Sequence, residues 1–267
     1  MDHSRGARET SPEREFEGRV ALVTGGGGSC IGGPTALRFA QEGCAVVVCD
    51  MHKRRLEEMA ERIRVETGAT VLDFHLDISD RPAVEAMLEE TRARLGGVDL
   101  LVNNAAENKL GFVADYDMAD WDRTIDVSLS AQFHLIRGTL PGMIARRRGA
   151  IVNVASVAGW IGNPNEERGE PAYAAAKAAL LSLTRNVAHE AGPHGVRCNA
   201  VAPGLIWSRF VEKFQAQFEP LREETPLRRY GRSEDVVEAI LFLCSDRRAG
   251  FVTGEALNVS GGWYMRP

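Results

Sequence analysis

The sequence predicts an α/β fold: a single doubly wound domain in which a parallel sheet of about seven strands has helices on both faces. Short runs rich in apolar and β-branched residues alternate with longer stretches of helical period. The short runs are almost continuously apolar, which is typical of strands that crossover helices bury on both faces. A chain of 267 residues with 44% hydrophobic residues is long enough to bury one such core.

The predicted elements follow in order along the chain. The strands are Val20–Val23, Ala45–Cys49, Val71–Phe74, Leu100–Val102, Ile151–Val154, Val196–Val201 and Ala256–Val259. The helices are Pro34–Gln41, Arg54–Glu66, Pro82–Leu95, Trp121–Ala145, Ala172–Ala191 and Glu234–Cys244. Many of these helices have one apolar stripe and one charged face, as expected for helices that cover a sheet. The alternation indicates a Rossmann-like domain.

Composition and the chain start exclude several function classes. We expect residues 1–17 to form a flexible tail and residues 18–267 to form the domain, because Met1–Gly18 mixes charges of both signs. That segment lacks the apolar stretch of a secretory signal or membrane span, so we expect a cytoplasmic protein with no membrane partner. The net charge is −5 and Arg146–Arg148 is the one basic run, which argues against nucleic acid as a partner.

The cysteines and histidines indicate neither a disulfide framework nor a metal site. The five cysteines, which are Cys30, Cys44, Cys49, Cys198 and Cys244, contain no C-x-x-C pair. His189 and His194 flank a Gly-Pro break, where no regular helix places both on one face. We therefore expect no metal, and we expect most of the cysteines to be small buried apolar residues.

A glycine-rich turn joins the first predicted strand to the first predicted helix. It reads TGGGGSCIG over Thr24–Gly32. Glycines let the backbone turn tightly and approach a pyrophosphate, whose charge is met by free N–H groups and the positive end of the helix dipole. A purely structural loop is the alternative. The position of the turn directly after the first strand favours a phosphate site.

Asp50 ends the second predicted strand, 18 residues after Gly32. This is close to the spacing of about 20 residues expected for a carboxylate that binds an adenosine ribose. Such a carboxylate repels a 2′-phosphate, so NAD is favoured over NADP. Two alternatives remain open: Asp50 caps the next helix, or the basic segment His52–Arg55 holds a phosphate.

A series of short motifs runs from about Gly18 to Trp263. The motifs are the TGGGGSCIG turn, Asp50, LDI at Leu76–Ile78, NNAA at Asn103–Ala106, NVAS at Asn153–Ser156, YAAAK at Tyr173–Lys177, PG at Pro203–Gly204, TG at Thr253–Gly254 and NVSGG at Asn258–Gly262. In their order and spacing the chain resembles the short-chain dehydrogenase/reductase family. The resemblance implies an oxidoreductase that transfers a hydride between a nicotinamide cofactor and a CH–OH group of a small molecule.

The resemblance implies four catalytic residues, which are Tyr173, Lys177, Ser156 and Ser128. Tyr173 and Lys177 are four residues apart on a helix, so their side chains share one face. A nearby ammonium favours the phenolate, and we expect it to lower the pKa of Tyr173 from its usual value of about 10. Tyr173 then exchanges a proton with the substrate oxygen, to which Ser156 hydrogen-bonds. A tyrosine and a lysine at this spacing alone also fit a surface pair.

The resemblance further implies the cofactor site. Its residues are Gly25, Gly28, Cys30, Ile31, Gly32, Asp50, Asp77, Ile78, Asn104, Tyr173, Lys177, Pro203, Gly204, Ile206 and Ser208. In the family, Lys177 binds the nicotinamide ribose and the pair Asp77–Ile78 contacts adenine. Asn104 lies beside the adenosine ribose, and Pro203–Gly204 lines the nicotinamide pocket. Two alternative roles are compatible with binding: Asn103 and Asn104 cap the end of a strand, and Pro203–Gly204 forms a plain turn.

Three departures from the family pattern affect these roles. The glycine-rich turn has one extra residue, so its middle glycine falls on Cys30 or on Gly28, and positive φ angles at Gly26–Gly28 would reroute the loop. Ser128 replaces an asparagine of the family. In the family, the main-chain carbonyl at this position holds a water that is linked to the lysine and relays protons. We expect this relay to be preserved if the local distortion of the helix is also present. Ser156 and Tyr173 are 17 residues apart because of an insert at Asn163–Pro171.

The expected substrate is an apolar or aromatic secondary alcohol or its ketone. The candidate pocket residues are Trp160, Ile161, Leu110, Leu205, Trp207 and Phe210, which flank the motifs and are all apolar or aromatic. The charged residues Glu166, Glu167, Arg168 and Glu170 of the insert either recognise a polar substrate group or belong to a solvated loop. The alternative functions are an NAD-binding epimerase or dehydratase and a non-catalytic NAD-binding protein. The family and the Ala-rich segment Ala172–Ala179 predict a homotetramer or homodimer.

Overall fold

The computed structural model describes residues 14–161, 169–213 and 215–265, and these residues form one α/β domain around a seven-stranded sheet. The strands are β1 (Val20–Thr24), β2 (Ala45–Asp50), β3 (Val71–His75), β4 (Leu100–Asn103), β5 (Gly149–Val154), β6 (Val196–Pro203) and β7 (Ala256–Val259). All neighbouring pairs are parallel, in the order β3-β2-β1-β4-β5-β6-β7. The predicted doubly wound fold class is confirmed.

Helices connect and flank the strands. They are α1 (Gly32–Gln41), α2 (Lys53–Thr67), α3 (Arg81–Leu95), α4 (Met118–Ile125), α5 (Ala131–Arg146), α6 (Pro171–Ala191), α7 (Arg209–Lys213), α8 (Gln215–Glu224), α9 (Ser233–Cys244) and α10 (Asp246–Ala249). Short 3₁₀ turns occur at Val113–Asp115, Val157–Gly159 and Gly192–His194. Each predicted helix is present, but the predicted single helix Trp121–Ala145 is wrong, because a π turn at Asp126–Ser130 separates α4 from α5. The sequence analysis did not predict α7, α8 and α10.

Two hydrophobic clusters cover the two faces of the sheet. On one face Phe39 of α1, Leu56 of α2 and Ile240 of α9 pack against the strands. On the other face Met87 of α3 and Leu135 of α5 do the same, together with residues of α6. The middle strands are buried on both faces, which explains why their sequences lack the alternation of half-exposed strands.

The packed domain begins before Gly18. Phe16, which the sequence analysis placed in a flexible tail, is 2% exposed and meets Phe39 edge-on at 5.3 Å between ring centroids. Its N–H donates to the Glu42 carbonyl. An aromatic side chain that covers α1 explains this correction, whereas residues 1–13 of the predicted tail lie outside the described part.

Burial of the thiols fits the expectation for most of the cysteines. Cys44, Cys49, Cys198 and Cys244 are buried, and Cys30 is half-buried. In the described ranges no group of three or more histidine, cysteine or acidic side chains is arranged to hold a metal ion. Among the helices of those ranges, none combines the length and apolar character that spanning a bilayer requires.

Candidate active site

A cavity of about 540 Å³ opens where β4, β5 and β6 end. Parallel strands bring the residues that follow them to one edge of the sheet, which is where α/β sheets bind ligands. The cavity gathers residues that lie far apart in sequence. The predicted site residues that line it are Cys30, Ile31, Asn104, Ser156, Tyr173, Lys177, Pro203, Gly204, Leu205, Ile206 and Ser208.

Tyr173, Lys177 and Ser156 converge in this cavity. Tyr173 and Lys177 lie one turn apart on α6, and the Lys177 Nζ is 5.4 Å from the centroid of the tyrosine ring. Ser156 follows β5 and hydrogen-bonds the Tyr173 hydroxyl. Lys177 is 1% exposed, and its Nζ donates to the Val154 carbonyl at 2.6 Å. The sheet edge and one helix face thus hold the three predicted groups together.

The electrostatics of the pair differ from the expectation. Burial, followed by the Glu170 carboxylate, raises the pKa of Tyr173 to about 12, although the hydrogen bond with Ser156 opposes the rise. Burial also lowers the pKa of Lys177 to about 7. The predicted lowering of the tyrosine pKa is therefore wrong for this structure, because burial disfavours the charged form of each group.

Ser128 lies in the π turn between α4 and α5. The N–H of Ala131 reaches back five residues to the Asp126 carbonyl, so the backbone is distorted at the position where the family has its asparagine. Ser128 is completely buried. Its Oγ accepts from the Glu107 N–H and donates to the Glu107 carbonyl, each at 3.0 Å. The helix distortion on which the predicted relay depends is present.

The glycine-rich turn folds tightly against β1, β2 and α2. Gly25 has φ +64, whereas the expected positive φ angles at Gly26–Gly28 are not observed. Gly26 and Gly27 instead allow the turn to pack closely against its neighbours. A Cβ at Gly26 would meet the Val48 side chain, and one at Gly27 would meet the Leu56 backbone at 2.8 Å. A Cβ at Gly32 would collide with the Gly25 carbonyl. The extra residue is absorbed within the turn, where the Gly28 N–H donates to the Gly25 carbonyl at 3.1 Å.

A second cavity of about 280 Å³ shares residues with the first. The predicted residues that line it are Gly25, Asp50, Asp77, Ile78 and Asn104, and Asn104 also lines the first cavity. Asp50 Oδ2 accepts from the Gly27 N–H at 3.1 Å, and Oδ1 accepts from the His52 N–H at 2.9 Å. Asp50 thus joins the glycine-rich turn to His52, the residue before α2, whose N-terminus has no side-chain cap among the described residues.

These features fit a dinucleotide. The turn leads directly into the N-terminus of α1, where backbone N–H groups and the helix dipole favour phosphate. Asp50 and the Asp77–Ile78 segment line the smaller cavity, and Tyr173 and Lys177 line the larger one. A nicotinamide dinucleotide would extend from one cavity into the other.

Comparison with known proteins agrees with this architecture. A family model described as enoyl-(acyl carrier protein) reductase matches residues 26–264. The 3-oxoacyl-(acyl-carrier-protein) reductase FabG of Thermotoga maritima is 37% identical over 248 residues, which cover 92% of this chain and 98% of the relative. The chain belongs to the short-chain dehydrogenase/reductase family. The resemblance that the motifs indicated is confirmed, and the coarse function is that of a family of oxidoreductases that bind a nicotinamide cofactor.

Two further relatives bear on the chemistry. The (2S)-((R)-hydroxy(phenyl)methyl)succinyl-CoA dehydrogenase subunit BbsD of Thauera aromatica is 38% identical over 251 residues, which cover 92% of this chain and 97% of the relative. The structure of an NAD⁺-bound xylitol dehydrogenase superposes with a TM-score of 0.87 at 31% identity, covering 93% of this chain and all of that one. Both are dehydrogenases of about the same length.

Arg123 is a site residue of this family member that sequence reasoning missed. It lines the smaller cavity, where its guanidinium donates to Asp77 at 2.7 Å, to Ser79 at 2.7 Å and to Glu107 at 2.9 Å. Burial opposes ionisation of Asp77, but hydrogen bonds from Ser79 and Arg123 hold the pKa of that carboxyl below its usual value. No local motif marks Arg123, since its partners are distant in sequence.

The predicted substrate residues divide into two groups. Leu205, Leu110 and Ile161 line the larger cavity. Trp160 and Trp207 do not line the part that the described residues enclose: Trp160 stacks on Tyr264 and Trp207 packs edge-on against Tyr230. Contact of these two indoles with the substrate stays a prediction, and Trp207 is 40% exposed. The side chain of Phe210 and residues 162–168 of the predicted insert lie outside the described part.

The sequence analysis missed most of the outer wall of the larger cavity. The additional lining residues include Asn108, Val211, Gln217, Phe218, Leu221 and Trp263. Several of them lie on α7 and α8, the helices that were not predicted. Glu170, which the sequence analysis left undecided between a substrate contact and a solvated loop, also lines the cavity. The mouth of the site is therefore mainly apolar, with a few polar side chains.

Proposed function

We propose that the protein is an NAD-dependent dehydrogenase/reductase that interconverts a secondary alcohol and its ketone, with an apolar or aromatic body on the substrate. The observation that carries the proposal is the convergence of Tyr173, Ser156 and Lys177 in one cavity at the carboxyl edge of the sheet. A tyrosine hydroxyl bound to a serine hydroxyl and placed beside a buried lysine is suited to proton exchange with a substrate oxygen.

The chain's own residues would perform the acid/base part of the reaction. The nicotinamide cofactor, when bound, supplies or accepts the hydride. Tyr173 donates a proton to the substrate oxygen during reduction and takes it back during oxidation. Ser156 donates a hydrogen bond to the same oxygen and orients the tyrosine hydroxyl. Lys177, anchored by Val154, would hold the cofactor ribose beside the phenol.

Asp50 supports the preference for NAD. Its carboxylate is fixed by the N–H groups of Gly27 and His52 at the wall of the smaller cavity, where it would accept bonds from ribose hydroxyls and repel a 2′-phosphate. The nearby cations Lys53 and Arg54 are exposed and pair with glutamates of α2. The NAD⁺ bound in the related xylitol dehydrogenase agrees with this choice.

The walls of the larger cavity support an apolar or aromatic substrate. Leu110, Ile161, Leu205 and Phe218 provide apolar surface near Tyr173. Apolar walls with a few convergent polar groups are typical of sites that bind small organic ligands. The phenyl-bearing substrate in the name of the related BbsD subunit fits the same type of pocket.

A homotetramer or homodimer is part of the proposal. Ala175 and Ala178 are exposed on α6, and small side chains allow a second helix to approach closely. Multi-angle light scattering of the purified protein tests this, and a monomer alone would contradict it. Location in the cytoplasm stays a prediction.

The decisive experiment compares Tyr173→Phe with the wild type. A panel of secondary alcohols and ketones is offered with NAD(H) and NADP(H), and the absorbance of the reduced cofactor is followed. We expect kcat/KM to fall by about 10²–10⁴, the range for loss of general acid/base catalysis. Tyr230→Phe is the matched control, since Tyr230 bonds Glu219 and is not among the described residues that line the cavity.

Two results would contradict the proposal. One is full activity of Tyr173→Phe. The other is a wild-type protein that binds the cofactor but turns over no member of a broad panel, which would favour a non-catalytic nucleotide-binding protein. Cofactor affinity of each variant, measured by fluorescence titration, separates loss of chemistry from loss of binding.

A further inference from the structure

Glu170 places a carboxylate in the wall of the substrate cavity. The residue immediately precedes α6, three positions before Tyr173, and lines the same cavity. Its Oε2 accepts a hydrogen bond from Asn108 Nδ2 at 2.7 Å, and Asn108 is itself a lining residue. Next to this pair the Gly111 N–H donates to the Gly169 carbonyl at 3.0 Å. Two contacts thus join the segment after β4 to the segment before α6 and fix the carboxylate.

Burying a carboxylate among apolar side chains costs free energy. Burial raises the pKa of the Glu170 carboxyl, and the hydrogen bond from Asn108 opposes the rise. Much of the surrounding wall is apolar, including Leu110, Ile161 and Leu221. A carboxylate has two oxygens and can accept several hydrogen bonds. Within the described ranges Asn108 is the side chain that donates to this carboxylate, so its two oxygens can accept further hydrogen bonds in the wall of the cavity.

The carboxylate also acts on the reacting region. Glu170 lies three positions before Tyr173 and lines the same cavity, and its charge contributes to the raised pKa of that tyrosine. A ligand whose reacting oxygen lies at Tyr173 and Ser156 can therefore extend toward Glu170 within one cavity.

We propose that Glu170, held by Asn108, is a specificity-determining residue that selects neutral substrates with a hydroxyl group next to the reacting carbon. This inference rests on the proposed dehydrogenase function and refines its substrate class to hydroxy ketones and diols with an apolar body. The substrate hydroxyl donates to the free lone pairs of the carboxylate, a charge-assisted bond that is stronger than one between neutral groups. A substrate with its own carboxylate at that position is repelled.

Three ketones that share a phenyl ring test the proposal. They are acetophenone, 2-hydroxyacetophenone and benzoylformate, which carry a methyl, a hydroxymethyl and a carboxylate group on the reacting carbonyl. Initial rates of NADH oxidation give kcat/KM for each. We expect the wild type to prefer 2-hydroxyacetophenone over acetophenone by about 10- to 100-fold, the value of one hydrogen bond to a charged group, and to use benzoylformate least.

Glu170→Gln keeps the size of the side chain and removes its charge. The preference for the hydroxymethyl ketone should fall by about 10-fold, while kcat/KM for benzoylformate should rise by a similar factor. Asn108→Ala frees the carboxylate and should lower the same preference by about 3-fold. Glu61→Gln is the matched control on the exposed face of α2, and it should change none of the three values.

Changes of opposite sign distinguish recognition from damage to the site. An equal loss on all three ketones in Glu170→Gln indicates a structural role and overturns the proposal. A wild type that prefers acetophenone, or that reduces none of the three, overturns it as well. The proposed function is tested separately: full activity of Tyr173→Phe on the broad panel overturns the dehydrogenase proposal, whereas an unchanged order of preference in Glu170→Gln overturns only the proposed role of Glu170.

Discussion

Replacing Ser128 by alanine tests how the π turn supports the site. The hydroxyl of Ser128 exchanges two hydrogen bonds with the backbone of Glu107, and the variant leaves that N–H and carbonyl without their partner. Glu107 belongs to the segment after β4 that carries Asn104 and Asn108, and all three line the larger cavity. We therefore expect the substitution to loosen the segment that the cofactor and the substrate would both contact.

The structure sets the size of the effect. Each lost hydrogen bond costs about 1 kcal/mol net, and a buried group left unsatisfied costs about 1–3 kcal/mol. The better helix propensity of alanine offsets roughly 0.5 kcal/mol. A net loss of about 2 kcal/mol in the free energy of unfolding corresponds to a fall of about 4–8 °C in Tm for a domain of this size. The looser segment should also lower kcat/KM by about 10-fold.

Differential scanning fluorimetry and initial-rate kinetics measure both quantities. Ser182→Ala on the exposed face of α6 is the matched control, since it makes the same chemical change without removing a buried contact. If Ser128→Ala and Ser182→Ala have the same Tm and the same kcat/KM, the Ser128–Glu107 contact does not support the site.

Three more predictions concern the cofactor site and the catalytic tyrosine. Asp50→Ala should weaken NADH binding by about 10-fold and bring NADPH affinity close to it, as measured by fluorescence titration, because the ribose loses an ionic acceptor; unchanged affinities would refute the ribose assignment. Gly32→Ala should lower Tm and cofactor affinity together, because a Cβ there collides with the Gly25 carbonyl. Alcohol oxidation needs the Tyr173 phenolate, whose pKa is raised, so kcat/KM should increase with pH. Glu170→Gln removes a negative charge near Tyr173 and should lower that pKa, so the increase of kcat/KM should begin at lower pH. An unchanged pH profile contradicts an electrostatic interaction between Glu170 and Tyr173.

The sheet was predictable from the sequence because each strand is a short run of apolar residues that can be recognised without knowledge of distant contacts. All seven predicted strands are present, and their bounds agree with the structure within two residues. Continuous apolar runs such as Val46–Val48 are uncommon outside buried parallel strands, so the fold class follows from pattern alone. Tyr173, Lys177 and Ser156 were predictable from the resemblance of their motifs to the family, and Ser156 also lies where a residue after a parallel strand is expected, at the edge of the sheet.

Contacts between distant segments were not predictable. Arg123 reaches Asp77 across 46 residues, and no spacing rule connects them. Trp160 was expected in the pocket because it is large and near Ser156, but its partner Tyr264 lies at the far end of the chain. The predicted direction of the Tyr173 pKa shift was wrong for the same reason. Burial of the hydroxyl depends on the packing of the whole site, and the i,i+4 spacing to Lys177 contains no information about that packing.

The side chain and the backbone of Ser128 have separate tasks. The family relay uses the main-chain carbonyl at this position, and the π turn sets the direction of that carbonyl whatever the side chain is. The hydroxyl is then free to bond the backbone of Glu107, whose carboxylate binds Arg123, which in turn binds Asp77 in the smaller cavity. Exchange of asparagine for serine thus leaves the backbone distortion in place and still anchors the segment that joins the two cavities. This arrangement explains how the departure from the family pattern is compatible with an intact catalytic group at Tyr173.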